Sequence, residues 1–143
     1  HTWNAWTRYT LAAVDEVVIV AEPDLANLRN AKNLCDTIKA MRQTENAPSL
    51  VLNKLGLPRR PEISASEFAS SVECEVIGQI GFDASLFGTA ANNGQMIAEV
   101  SANNKANDIY RGIGMHVTGR HANHGTGKST SMLKLPSFLK KRA

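Results

Sequence analysis

Three short apolar runs, each breaking at its carboxyl end into polar residues and each followed by helical sequence, limit what this chain can fold into. The first, VVIVAEPDLANLRNAKNL at Val17–Leu34, passes from a β-branched run through a proline-marked turn straight into a helix. The same design recurs in SLVLNKLGLP at Ser49–Pro58 and in EVIGQIGFDASLFGTAANNG at Glu75–Gly94. Strands separated by helical sequence are successive units of a parallel α/β sheet with flanking helices. Ligands of such sheets bind at the carboxyl ends of the strands, so function is expected in the residues that follow each run.

The 143 residues make one domain's worth of chain, and 43% hydrophobic with 20% charged residues is an ordinary globular composition. No apolar stretch approaches the roughly 20 residues that cross a bilayer as a helix. His1–Thr10 has neither the basic start nor the apolar run of a secretory leader. Cys35 falls on a helix and Cys74 at a strand start, which reads as two buried, reduced thiols in a cytosolic protein. The net charge of +3 hides an asymmetry: residues up to Asp108, the last acid, carry −4, and those beyond it carry +7. An acidic domain therefore precedes a basic tail.

Along the chain, Thr2–Ala13 places Trp3, Trp6 and Ala13 at helical spacing, and the two tryptophans read as core. Val17–Ala21 is unbroken and suggests a strand covered on both faces. Asp24–Arg42 has a helical period through Leu28, Cys35 and Ile38, with Asp24 placed to cap it. Leu50–Leu52 forms the next strand core, and Ser64 with Glu67 matches a capping box for a helix to about Val72. Val76–Ile80 is the third strand, Asn93-Gly94 a tight turn, and helical sequence starts at Gln95–Val100 and resumes over Asn103–Val117. Residues 1–118 thus form the folded part, and 119–143 a flexible basic linker and tail.

GTGKST at Gly125–Thr130 imitates a phosphate loop, but Ala122 stands where its first glycine belongs and no strand precedes it, so it reads as linker. His116, His121 and His124 are too irregular for a metal site. The tail Met132–Ala143 mixes Leu133, Leu135, Phe138 and Leu139 with Lys134, Lys140, Lys141 and Arg142, a composition suited to an anionic membrane surface or to a solvated tail. It lacks the aromatic interleaving of a specific nucleic-acid binder. The chain opens on a helix with no glycine-rich turn before Gly56, the pattern of the second half of a doubly wound domain.

HTWNAWTRYTL, VVIVAEPDLANLRNAKNL, LVLNKLGLPRRPEI and above all FGTAANNGQMIAEV at Phe87–Val100 together resemble the CpaE/TadZ proteins of Flp (tad) pilus assembly, a branch of the MinD/ParA-type P-loop ATPases. The resemblance spans residues 1–118. It implies the C-terminal half of a Rossmann-like, cytoplasmic ATPase domain that localises pilus assembly at the inner membrane or a cell pole. ATP and Mg2+ would be the cofactors of the intact protein, with none expected tightly bound to this chain, and pilus or secretion assembly proteins and a second copy would be its partners. The lysine-bearing phosphate loop of that family is absent from this sequence, so the chain is expected to be a fragment, inactive as an ATPase alone. A non-catalytic scaffold that places pilus machinery at the membrane is the alternative, since TadZ-type proteins are often degenerate as ATPases.

Three residues are candidates for the nucleotide. Asn53 closes the second strand, where its amide offers a donor and an acceptor side by side for the edge of adenine; a plain turn asparagine is the competing reading. The resemblance places the same asparagine against the base. Phe82 and Asp83 follow the third strand and would flank the adenine, although Asp83 is equally suited to cap the next helix and Gly81 stands where relatives carry proline. Arg29 and Asn30 suit a dimer face or a solvated helix face. Arg59-Arg60 reads as an exposed basic turn.

Overall fold

The computed structural model describes residues 3–42 and 47–119. Local capping chemistry sets where the chain turns helical. Asn4 accepts the Thr7 amide at 2.9 Å and opens α1 (Ala5–Ala13), and Asp24 accepts the Asn27 amide at 2.8 Å ahead of α2 (Leu25–Arg42). Ser64 accepts the Glu67 amide at 3.2 Å and opens α3 (Ala65–Val72). Asp83 does the same for α4 (Ala84–Asn93), and Gly94, at φ 64°, closes that helix by donating its N–H to the carbonyls of Ala90 and Ala91. A short α5 (Ile97–Val100) and α6 (Lys105–Val117) complete the helices.

Between the helices lie β1 (Val18–Ala21), β2 (Ser49–Leu55) and β3 (Val76–Gly81), hydrogen-bonded in the order β1-β2-β3. Both pairings are parallel, with Ala21 opposite Leu52 and Leu52 opposite Gln79. The chain is α/β, as its sequence pattern predicts. Register shifts between β2 and β3 at Leu50/Val51 and Leu52/Leu55 bend the carboxyl end of this pair.

One face of the sheet makes the main core. Ile19, Ala21, Leu50 and Leu52 meet Ala31, Cys35 and Ile38 of α2 and Phe68 and Val72 of α3. On the opposite face, to which Ser49 points by strand alternation, His116 of α6 meets the Ser49 hydroxyl at 2.9 Å. Helix α6 also lies close on β3, where a Cβ at Gly78 would stand 2.7 Å from Ile113 Cδ1.

Three expectations change. Val20 is 62% exposed, because helix α6 covers β3 on that face and leaves β1 open; the unbroken apolar run is not covered on both sides. Trp3 and Trp6 are 45% and 75% exposed rather than core, because α1 turns Leu11 toward the core and leaves the aromatic rings outside. Trp6 instead faces Tyr9, their ring centroids 6.3 Å apart. Cys35 and Cys74 are buried as expected but not as separate thiols: α2 lies over the start of β3, and the two sulfurs are joined as a disulfide. GTGKST, His121, His124 and the tail Met132–Ala143 lie outside the described residues.

Candidate functional site

The carboxyl ends of β2 and β3 diverge into a cleft. Lys54, at φ 57°, lies within β2, whose next residue Leu55 still pairs with Gly81, and the chain leaves the sheet at Gly56, at φ 75°. β3 is held at its end by the Phe82 amide, which donates to Leu55 O at 2.7 Å, and then turns into α4. The space between is about 290 Å3, at the small end of ligand pockets. Asn53, Lys54, Phe82, Asp83 and Phe87 line it, together with Tyr110 from α6.

All three sequence candidates therefore come together, although they lie on two strand ends some thirty residues apart. Asn53 Oδ1 accepts the Lys54 amide at 2.9 Å, the local bond of a turn asparagine. That bond also identifies the two ends of the side chain: the Lys54 N–H can only donate, so the oxygen faces it and Nδ2 remains a free donor. Asp83 caps α4 through Oδ1, 2.9 Å from the Leu86 amide, which leaves Oδ2 as a free acceptor. Phe82 is partly exposed and contributes a flat apolar wall. One donor, one carboxylate acceptor and aromatic walls suit a planar ring that carries a lone pair beside an amino group.

Sequence reasoning missed Lys54 and Tyr110. Lys54 adjoins Asn53, and its only signal was the LNKLG turn; Tyr110 reaches the cleft only because α6 packs on β3. Arg60 differs from its expected place in an exposed pair. Its side chain is 17% exposed and lies within an ion network, whereas Arg59, at φ 63°, stays exposed.

That network joins the ends of β1 and β2. Glu22 accepts Lys54 Nζ at 2.6 Å and also pairs with Arg60. Arg60 Nη2 donates to Lys54 O at 2.7 Å and to Glu62 at 3.3 Å. Glu62 in turn accepts the Gly56 and Leu57 amides at 2.9 and 3.2 Å. The hydrogen bond from Lys54, with Arg60 adding to it, holds the Glu22 carboxyl below its ordinary value of 4.5. The Gly56 amide, followed by Arg60, does the same for Glu62. Among the described residues no group of three or more His, Cys, Asp or Glu side chains stands ready to hold a metal ion.

No family model matches the chain, and no curated protein matches it. Solved structures do. The MinD cell division protein of Aquifex aeolicus superposes with a TM-score of 0.62 at 18% identity, over 78% of this chain and 47% of that one. MinD of the same organism, in its MinC:MinD complex, gives 0.67 at 17% identity over 83% and 48%. A ParA family ATPase from Chlorobium tepidum gives 0.59 at 19% identity over 77% and 45%. The chain spans less than half the length of each of these proteins. Its parallel sheet with flanking helices is the fold of MinD and ParA ATPases over the matched part.

Proposed function

We propose that the cleft at the ends of β2 and β3 receives the adenine of ATP, in a MinD/ParA-like localisation protein of the CpaE/TadZ kind that serves Flp pilus assembly. The observation that carries the nucleotide reading is the convergence of Asn53, Phe82 and Asp83 on one cleft. Asn53 Nδ2 donates to a ring nitrogen, Asp83 accepts from the exocyclic amino group, and Phe82 packs on the ring. ATP, when bound, supplies the phosphates and the Mg2+ they carry; the described residues contribute to the base end. The pilus assignment is supported by the resemblance of Phe87–Val100, whose first residue itself lines the cleft. That one matched structure is a MinC:MinD complex supports a protein partner for this chain too.

Titration with ATP of a full-length version that carries the phosphate loop tests the site. Asn53→Ala should weaken binding about 2- to 10-fold with the fold intact, the worth of one hydrogen bond to the base. Unchanged affinity would return Asn53 to a plain turn residue, and a wild-type protein that binds no ATP would favour the scaffold reading.

The six basic residues of 119–143 support a peripheral place at the inner membrane. Co-sedimentation with vesicles should require anionic lipid, weaken with salt and be lost when 119–143 are deleted. Equal sedimentation of the deleted chain would remove the tail from the function.

A further inference from the structure

Helix α6 brings an aromatic ring to the cleft from outside the strand ends. Ala106, Tyr110 and Ile113 follow one another at the spacing of a single helix face. Ala106 is buried, and Ile113 lies against Gly78 of β3, so this face looks toward the sheet. Tyr110, between them, is nevertheless 45% exposed. A large ring on an inward face stays this open where the sheet beneath it has ended, and Tyr110 lines the cleft together with Phe82. Among the described residues these rings do not touch each other, since the aromatic pair in contact is Trp6 with Tyr9. Nor does the Tyr110 hydroxyl have a hydrogen-bond partner among the described residues. The helix that carries it is fixed at both ends. Asn104 Oδ1 accepts the Ala106 amide at 2.9 Å, and His116 meets the Ser49 hydroxyl at 2.9 Å. The ring is therefore held at the cleft with both its packing surface and its hydroxyl unspent.

We propose that Tyr110 is a stacking residue of the base site: its ring packs on a face of the base, so that adenine meets aromatic surface from α6 as well as from Phe82. This rests on the nucleotide reading above. Asn53 and Asp83 address the edge of the base. Hydrogen bonds at an edge fix its orientation but return little net free energy, because water offers the same bonds. Contact with the face removes apolar area from water and adds the attraction of offset rings. A tyrosine supplies that contact at low entropic cost, having few torsions to fix. The larger share of the affinity for the base then falls to a residue that belongs to neither strand end.

The test is calorimetric titration of a full-length version that carries the phosphate loop, with ATP and with inorganic tripolyphosphate, which has the phosphates and no base. Tyr110→Ala should weaken ATP binding about ten-fold, the loss expected for one base–aromatic stack, and leave tripolyphosphate binding within about two-fold. Tyr110→Phe keeps the ring and loses the hydroxyl, and should hold ATP within about two-fold of the wild type. Unchanged ATP affinity in Tyr110→Ala overturns the proposal. So does a loss in Tyr110→Phe as large as that in Tyr110→Ala, which would assign the contact to the hydroxyl. Equal weakening of ATP and tripolyphosphate overturns it too, because the damage would then lie away from the base. A wild-type protein that binds ATP no better than tripolyphosphate overturns the nucleotide reading itself, and this assignment with it.

Discussion

At the scale of single residues, the acidic side chains around the strand ends are held charged. Glu22 and Glu62 lie below the ordinary glutamate value, the first mainly through Lys54 and the second mainly through the Gly56 amide. Asp24 is lowered by the Asn27 amide and side chain, and Glu73 by Lys32. In each case the folded value is below the unfolded one. The stabilisation is therefore complete above the unfolded value, 4.5 for a glutamate, and is lost as pH falls through the folded values. Melting temperature followed from pH 7 to pH 3 should stay level and then fall below about pH 5, and Glu22→Gln should make that fall shallower. An equally steep decline in the variant would show that Glu22 takes no part in it. Asn53 and Asp83 were legible in the sequence because polar residues at the ends of apolar runs are conspicuous. Lys54 was not, because the sign of a backbone angle leaves no mark when the residue is a lysine rather than a glycine. Arg60 was misplaced for a related reason: its partners, Glu22 and Glu62, come from either side of a turn whose path the sequence does not specify.

Elements were more legible than residues, since each strand is a short β-branched or aliphatic run and each helix except the short α5 carries a capping residue at its start. What periodicity does not reveal is which element covers which face. Val20 and the two tryptophans were assigned to the core because apolar side chains are assumed covered, and the placement of α6 and α1 decided otherwise. Gly78 shows the same dependence from the other side. It allows α6 to approach β3 so closely that a Cβ would meet Ile113 Cδ1 at 2.7 Å and Cγ1 at 2.9 Å. Gly78→Ala should cost about 1–2 kcal/mol in urea denaturation, since the isoleucine side chain has to swing aside. Ile113→Val in the same chain should recover part of that loss by removing the Cδ1 atom. No recovery would locate the strain in the backbone instead.

At the scale of the whole molecule, the sheet is finished on one face and unfinished on the other. Strand β1 pairs only with β2 among the described residues, and Val20 stands bare on the face where α6 covers β3 but not β1. The consequence is colloidal. An outer strand with unpaired amides and a greasy side chain is a template on which other molecules of the same protein nucleate. Solubility at high concentration should then be limited by this strip rather than by net charge. Val20→Lys should raise the concentration at which dynamic light scattering first detects clusters, while an unaltered threshold would direct attention to the exposed Trp6 and Tyr9 pair.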